Sequence, residues 1–242
     1  MAFWNKKTLK YYFDGLRWGN YPGAIMEKLA EHLKECRSLV DICSGPGAFA
    51  MWAMDNGLQA LAVDEDITAT DALQAEAAKK GLRVSAIVND FLKADIPPAD
   101  ISAAAWCFYK ETSSEKALGK MMDIGSKLNI FVQHDGTRTP EFCTEGLPKG
   151  EPSHVWEDNA MEENLYTAAE KRGLSVNSFF ITCDFGCIYY PGDEEQLNFI
   201  SAKTGVQDKE ILRAHLEKIA VPCPGGTWIP SYKPMKVIWI AK

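Results

Sequence analysis

The chain has 242 residues, of which 46% are hydrophobic and 24% charged, and it carries a formal net charge of −7 at pH 7. This length and composition are typical of one globular domain, here residues 1–242, that can bury a substantial core. The acidic balance argues against a nucleic-acid substrate, because phosphate binding needs a basic surface. No apolar stretch approaches the roughly 20 residues that a membrane span requires, so we expect no membrane partner.

The N-terminal residues 1–7 lack the apolar core of a secretory signal peptide, which predicts a cytoplasmic location. The seven cysteines are an odd number and are not spaced as a disulfide framework, so we expect reduced and mostly buried thiols. No Cys-x-x-Cys pair is present, and we therefore predict no metal site. The less favoured alternative is a metal site of Cys183 and Cys187 with Cys143 or Cys223.

Residues 1–37 are amphipathic and predict a helical cap, with a long helix from about Gly23 to Cys36. From residue 38 onward, apolar runs alternate with helical patterns, which predicts a parallel sheet with helices on both faces. The runs are nearly continuous, as expected for strands that are buried on both sides. The predicted strands are 38–43, 59–64, 83–88, 101–107 and 128–134, and the predicted helices are 47–55, 67–80 and 113–126.

The alternation breaks after Asp135. Residues 136–157 form a Gly- and Pro-rich loop that is too long for an ordinary connection, and such loops often act as lids or binding loops. We expect this loop and residues 183–234 to be insertions that cover a substrate site. The remaining predicted elements are a helix at 159–172, a strand at 174–182, two helices within 193–219 broken at Gly205, a Pro/Gly-rich loop at 221–234, and a strand at 235–241.

Three strand ends carry the residues that are most informative about function. The first strand ends in Asp41, and a tight turn of small residues, Cys43-Ser44-Gly45-Pro46-Gly47, leads into the next helix. The second strand ends in Asp64 and Glu65, and the third is followed by Asn89-Asp90-Phe91. Glycines let a backbone approach a ligand closely, and an acid at the end of the next strand accepts hydrogen bonds from ribose hydroxyls. The pattern therefore predicts a nucleotide-like cofactor.

Together these motifs resemble the S-adenosylmethionine pocket of the class I methyltransferases, over residues 38–135. The family's first motif, acid-x-Gly-x-Gly-x-Gly, reads here Asp41-x-Cys43-x-Gly45-x-Gly47, so that a cysteine replaces the first glycine. Cysteine has a Cβ and resists positive φ, so we expect the turn to differ at that residue. The resemblance implies an α/β, Rossmann-like methyltransferase sheet that is mostly parallel, with a C-terminal antiparallel strand and helices on both faces. It also implies transfer of a methyl group from S-adenosyl-L-methionine to a small-molecule acceptor by in-line displacement.

The resemblance implies roles for single residues. Asp41 would orient the turn or bind the cofactor's amino group, Asp64 would bind the ribose hydroxyls, and Asp90 would accept from the adenine amino group. Phe91 would pack on or beside the adenine ring. The alternatives are a helix N-terminal acid for Asp64 and a loop-capping carboxylate for Asp90. The implied cofactor-binding set is Asp41, Cys43, Ser44, Gly45, Pro46, Gly47, Asp64, Glu65, Asn89, Asp90, Phe91 and Trp106.

The end of the fourth strand is a candidate acceptor site, because ligands of such sheets lie outside the carboxyl ends of the strands. Trp106 and Phe108 are alternate residues, so we expect them to share one face and pack in the core. Their aromatic faces could instead hold a flat substrate or stabilise a sulfonium by cation–π attraction. Tyr109, Lys110 and Glu111 follow as an exposed set.

The end of the fifth strand offers a candidate base. His134 titrates near neutral pH and could accept a proton from the acceptor, with Asp135 orienting the ring and Arg138 following. A hydrogen-bonded histidine at a strand end is the alternative interpretation. The candidate catalytic residues are therefore His134, Tyr109 and Glu111. The aromatic-rich residues 11–21 either cover the substrate together with the long loops or pack on the edge of the sheet.

Two other functions remain open. Gly45-x-Gly47-x-x-Ala50 satisfies the fingerprint of a nicotinamide-binding Rossmann domain, which would make the chain an NAD(P)-dependent oxidoreductase. Against this interpretation, Asp41 would repel a pyrophosphate, and Asn89 and Asp90 are not part of that fingerprint. The replacement at Cys43 leaves a non-catalytic S-adenosylmethionine-binding protein as the other alternative. The sequence also leaves open whether the chain acts alone or as a homodimer.

Overall fold

The computed structural model describes residues 4–108, 111–136, 140–149 and 161–242. Within those ranges no helix is both long enough and apolar enough to cross a membrane. The helices are α1 (Lys6–Trp18), α2 (Gly23–Lys28), α3 (Ala30–Leu33), α4 (Ala48–Asp55), α5 (Ile67–Lys79), α6 (Glu115–Ile124), α7 (Met161–Glu170), α8 (Glu194–Thr204) and α9 (Lys209–Ile219). The strands are β1 (Ser38–Ile42), β2 (Gln59–Asp64), β3 (Ser85–Val88), β4 (Ala99–Ala105), β5 (Gly125–His134), β6 (Asn177–Asp184), β7 (Cys187–Ile188), β8 (Val221–Cys223), β9 (Gly226–Ile229) and β10 (Tyr232–Ala241).

A seven-stranded sheet runs through the molecule in the order β3-β2-β1-β4-β5-β10-β6. The first five of these strands are parallel, and β10 lies antiparallel between β5 and β6. The predicted α/β class is therefore confirmed, with a mostly parallel sheet and an antiparallel C-terminal strand. The strand order reverses between β1 and β4, which is where open sheets of this kind bind their ligands.

Both faces of the large sheet are covered by helices, as the continuous apolar runs predict. On one face Ile25 of α2, Phe49 of α4 and Leu73 of α5 belong to a single core cluster. On the other face Leu118 of α6 and Leu165 of α7 belong to a second cluster. All five side chains are at most 1% exposed, so the sheet is shielded from water on both sides.

The predicted loop at 221–234 is wrong, because β8 and β9 form a tight hairpin there. This hairpin and β7 make a second sheet in the order β7-β9-β8, which packs with α8 and α9 around a third core cluster. We call β7, β8, β9, α8 and α9 the cap. Strands of two to four residues that contain Pro and Gly lack the apolar alternation by which strands are recognised.

Two predictions about the extent of helices have different outcomes. The helices of the cap are separated at Gly205, which has a left-handed backbone (φ 76°) that ends α8, as predicted. The long helix expected over 23–36 is instead divided at Leu29, whose backbone (φ −100°, ψ 8°) leaves the helical region. The Leu29 side chain is 1% exposed, so it belongs to the core at the point where α2 gives way to α3.

The turn between β1 and α4 depends on the absence of a side chain at Gly47. This residue has φ 80°, and a Cβ placed on it would lie 2.5 Å from Cδ2 of Leu73, whose side chain is fully buried. Gly57 offers a matched comparison, because its φ is 77° but no atom lies within 4 Å of the point that a Cβ would occupy there. Substitutions at these two glycines can therefore distinguish the cost of the left-handed backbone from the cost of steric crowding.

We expect Gly57→Ala to lower the free energy of unfolding by about 1–2 kcal/mol, the cost of a left-handed backbone. Gly47→Ala should lower it by a further ~1–3 kcal/mol, because the added methyl group overpacks the contact with Leu73. Urea unfolding of both variants measures the difference. Equal losses in the two variants would show that Leu73 does not restrict this turn.

Candidate functional site

The carboxyl ends of β1, β2, β3 and β4 lie along one edge of the large sheet, because these strands are parallel neighbours. This edge brings together the turn at 43–47, Asp64 at the end of β2, the segment 89–91 after β3, and Trp106 after β4. The predicted residues on these four strand ends thus share one region, at the point where the strand order reverses.

The turn after β1 is tied to the end of β2 by the carboxylate of Asp64. The backbone N–H of Gly45 donates to Oδ2 of Asp64 at 2.7 Å, and the N–H of Asp66 donates to Oδ1 at 2.9 Å. Each carboxylate oxygen can accept more than one hydrogen bond, so ribose hydroxyls could also donate to Asp64. Its side chain is only partly buried. Asp66, rather than Asp64, caps the N-terminus of α5.

The cysteine at the first glycine position has a left-handed backbone in spite of its Cβ. Cys43 has φ 52°, a left-handed conformation that usually costs about 1–2 kcal/mol for a residue with a Cβ. Its thiol is hydrogen-bonded to the thiol of buried Cys107. This bond and burial raise the pKa of Cys107, so Cys107 is a neutral thiol at ordinary pH. The replacement is therefore accommodated by a partner on the neighbouring strand end.

Asp41 holds the start of α4 from beneath the turn. Its side chain is 3% exposed, and Oδ2 accepts a hydrogen bond from the N–H of Ala50 at 2.9 Å. Burial raises the pKa of Asp41 to about 8; the Ala50 N–H opposes this rise and the charge of Asp64 adds to it. The structure supports the first of its two expected roles, orienting the turn. A carboxyl group that is largely neutral at pH 7 also weakens the charge argument against a bound pyrophosphate.

Aromatic residues of the N-terminal segment cover the turn. The indole of Trp4 lies over Gly45, because a Cβ on Gly45 would be 3.1 Å from Cζ2 of Trp4. Trp4 packs edge-on against Tyr12, with ring centroids 5.2 Å apart. The Tyr12 hydroxyl reaches the backbone of Ala48, and burial followed by the charge of Asp41 raises its pKa. The N-terminal segment therefore covers the β1–α4 turn.

The segment after β3 has a polar side and an apolar side. Asp90 accepts a hydrogen bond from the N–H of Leu92 at 2.9 Å and pairs with Lys93 at 2.9 Å, and both contacts lower its pKa. This is the loop-capping role considered for it. Val88 and Ile67 are 48% and 60% exposed, so two apolar side chains are open to solvent next to Asp90 and Asp64. Asn89 and Glu65 are likewise exposed.

Phe91 does not present an open ring. It is 4% exposed and belongs to the core cluster beneath the segment, so it offers no open face on which an adenine ring could lie, and of the two expected arrangements only packing beside the ring remains. The segment is fixed instead by Lys120 of α6, whose Nζ donates to the carbonyls of Phe91, Leu92 and Ala94 at 2.6, 3.1 and 2.7 Å. Sequence reasoning did not find Lys120, because nothing local marks its three backbone partners.

Trp106 lies just after β4 and does not continue the extended backbone of that strand. β4 ends at Ala105, and Trp106 has φ 53°, so the alternation of side chains stops there. Phe108 consequently packs against Phe131 in one core cluster, whereas Trp106 packs at the edge of the other cluster. The expectation that these two residues share a face is therefore wrong.

The indole of Trp106 is surrounded by aromatic rings. It stacks on Tyr21 at a centroid distance of 4.8 Å and lies 6.2 Å from the ring of His134, nearly parallel to both. Phe185 approaches it at 6.3 Å. Its buried Nε1 has no hydrogen-bond partner among the described residues. Because such a donor costs free energy when it is left unpaired, this N–H is suited to a ligand acceptor atom.

The predicted catalytic residues are not all brought together. Tyr109, like Lys110 and Arg138, lies outside the described residues. Glu111 is exposed, and its charge acts on Lys93, near the segment after β3. His134 lies at the end of β5, where partial burial and then the charge of Lys233 lower its pKa. A neutral imidazole at pH 7 can accept a proton, so the chemistry expected of His134 is available to it.

Three charged residues beside His134 were not predicted from the sequence. Glu141, from a short 3-10 helix at Glu141–Cys143, pairs with Lys233 at 3.0 Å and with Lys203 at 3.8 Å. Lys203 belongs to α8 and Lys233 to β10. They are far apart in the sequence and no motif links them, so only the fold brings them together.

All seven cysteines are free thiols, and Cys36, Cys107, Cys183 and Cys187 are buried, as predicted. The alternative metal grouping of cysteines is not assembled. In the part of the chain that the structure describes, no three His, Cys, Asp or Glu side chains are placed to hold a metal ion together.

The raised pKa of Asp41 leads to a pH-dependent stability. Its folded-state pKa of about 8 exceeds the unfolded value of about 3.9. Its stabilising effect is therefore fully present below pH ~4 and is lost as the pH rises through ~8. Asp41→Asn cannot ionise, so the free energy of unfolding of the wild type should fall relative to that of the variant across this interval. Denaturant unfolding at several pH values tests this, and parallel pH profiles would contradict a buried, proton-binding Asp41.

No protein-family model and no curated protein sequence matches the chain. Solved structures match it over most of its length at low sequence identity. The magnesium protoporphyrin IX methyltransferase of Synechocystis, solved with bound S-adenosylmethionine, is 8% identical with a TM-score of 0.51, covering 98% of this chain and 86% of its own. A precorrin-6Y C5,15-methyltransferase of Geobacter metallireducens is 8% identical with a TM-score of 0.52, covering 90% and 89%. The YcgJ protein of Bacillus subtilis is 18% identical with a TM-score of 0.53, covering 90% and 97%. The chain therefore has the Rossmann-like fold of the class I S-adenosylmethionine-dependent methyltransferases.

Proposed function

We propose that this protein is a methyltransferase that uses S-adenosyl-L-methionine to methylate a small molecule. The observation that carries the proposal is the single edge of the sheet where the turn at 43–47, Asp64 and Asp90 meet. Two solved structures of one neighbour of this fold, the magnesium protoporphyrin IX methyltransferase of Synechocystis, hold S-adenosylmethionine and S-adenosylhomocysteine, respectively. The fold alone does not fix a function, so the argument depends on how the residues of this edge suit the cofactor.

The residues at this edge suit the two ends of such a cofactor. Asp64 is held by two backbone N–H groups and still has lone pairs for ribose hydroxyls. The exposed apolar side chains of Ile67 and Val88 offer a surface for a flat base, and Asp90 lies beside them. Trp4 and Tyr12 enclose the turn at which the amino-acid end would lie.

When bound, S-adenosylmethionine supplies a methyl group on an electrophilic sulfonium. The protein contributes chiefly by positioning the acceptor and excluding water, which can account for many kcal/mol of a displacement barrier. The rings of Trp106 and Phe185 would provide the apolar wall of the site and faces that attract a cation, with the buried ring of Tyr21 stacked behind Trp106. A ring nitrogen of His134, neutral at pH 7, would accept the acceptor's proton where one must be removed.

Isothermal titration with S-adenosylhomocysteine, with NADH in parallel, tests the cofactor assignment. We expect the wild type to bind S-adenosylhomocysteine and not NADH. Asp64→Ala should weaken binding by about 1.5–3 kcal/mol, the value of a hydrogen bond to a charged group. Asp55→Ala is the matched control. Asp55 is a surface carboxylate that pairs with Lys80, and it lies at the end of α4 that is far from the turn at 43–47.

Three outcomes would count against parts of the proposal. Unchanged affinity in a folded Asp64→Ala variant would refute the role of that carboxylate. Binding of NADH in place of S-adenosylhomocysteine would make the turn at 43–47 a dinucleotide site, which the neutral Asp41 leaves physically open. Binding of S-adenosylmethionine without methyl transfer to any member of a broad acceptor panel would favour a non-catalytic binding protein.

A further inference from the structure

A cluster of charged side chains adjoins the acceptor side of the site. It consists of Glu141, Lys203, Lys233 and His134, which we call the basic cluster. Nζ of Lys233 lies 3.0 Å from Oε2 of Glu141, and Nζ of Lys203 lies 3.8 Å from the same oxygen. His134 interacts electrostatically with all three charges. The cluster joins the end of β5, the start of β10 and α8 of the cap.

The basic cluster contains more positive than negative charge. Among the described ion pairs, both lysines pair with Glu141 and with no other acid. Burial would raise the pKa of Glu141, but Lys233 and Lys203 lower it, so this carboxylate is ionised. Asp135 acts on His134, whereas the charges that act on Lys233 are those of Glu141 and Lys203. Among the residues that the structure describes, two ammonium groups thus share one carboxylate.

The excess positive charge of the basic cluster is partly buried. The side chain of Lys233 is 15% exposed, and burial lowers its pKa, with Glu141 opposing that effect and Lys203 adding to it. An ammonium group that is poorly hydrated and incompletely paired raises the free energy of the folded protein. An anionic group of a ligand would neutralise it, and groups held in this way are frequent at binding sites.

The position of the cluster links it to the proposed active site. Lys233 precedes Met235 by two residues, and Met235 is the register partner of His134 across β10 and β5. The ring of His134 lies 6.2 Å from that of Trp106, whose buried Nε1 lacks a partner among the described residues. A molecule anchored at Lys233 would therefore lie beside His134 and within reach of the Trp106 ring.

We propose that the acceptor is a small acid whose carboxylate binds Lys233 and Lys203 and whose apolar or aromatic body lies against Trp106. This inference rests on the proposed function, because it specifies the substrate class of the same site. The competing explanation is that Lys233, Glu141 and Lys203 only clamp the cap to the large sheet. The two explanations differ in what they predict for a ligand's charge.

Binding of 2-naphthoate and of its uncharged counterpart 2-naphthamide, measured by calorimetry with and without S-adenosylhomocysteine, separates these explanations. We expect naphthoate to bind at least about tenfold more tightly than naphthamide, equivalent to one buried charge-assisted contact. Lys233→Met should abolish this preference by weakening naphthoate alone, and Lys233→Arg should retain it. Lys236→Met is the matched control, because Lys236 lies on the same strand, is 19% exposed and pairs with Glu162.

Equal affinities for the acid and the amide in the wild type would overturn the proposal. So would equal effects of Lys233→Met and Lys236→Met, or no binding of naphthoate at millimolar concentration. The titration with S-adenosylhomocysteine in the same proteins distinguishes this failure from failure of the proposed function. If naphthoate binding depends on Lys233 while S-adenosylhomocysteine does not bind, the anion site stands and the cofactor assignment fails.

Discussion

The hydrogen bond from the Gly45 N–H to the Asp64 carboxylate is the contact on which the candidate site depends. It joins the turn after β1 to the end of β2, and the same carboxylate also accepts from Asp66 at the start of α5. Asp41 supports the other side of the turn through the N–H of Ala50. Two acids thus hold a turn that contains left-handed residues, and one of them remains partly open to solvent where a ribose could reach it.

The consequences of this arrangement extend to the N-terminal segment. A turn built of small residues leaves room for the Trp4 ring above Gly45 and for the Tyr12 hydroxyl beside Ala48. Helix α1 is in turn tied to α5 by an ion pair between Arg17 and the largely buried Glu76. The N-terminal segment that covers the turn is therefore anchored to the core of the domain.

The parallel half of the fold could be predicted from the sequence because its strands are mostly apolar runs and because β1, β2 and β3 are followed by a small-residue turn or by acids. The cap hairpin could not, since strands as short as Val221–Cys223 give no periodic signal. The orientations of Trp106 and Phe108 were missed because a single left-handed residue ended the alternation. The basic cluster was missed because its members meet only through tertiary contacts. Local pattern thus predicts the cofactor edge, whereas the acceptor side depends on long-range packing.

The most direct test is amide hydrogen exchange with and without saturating S-adenosylhomocysteine. If the edge formed by β1, β2 and β3 holds this cofactor, exchange should slow at residues 43–50, 64–67 and 88–92 and in α1, and NADH should have no such effect. Unchanged exchange at residues 43–50, or protection confined to another part of the molecule, would contradict a cofactor site at the β1–α4 turn.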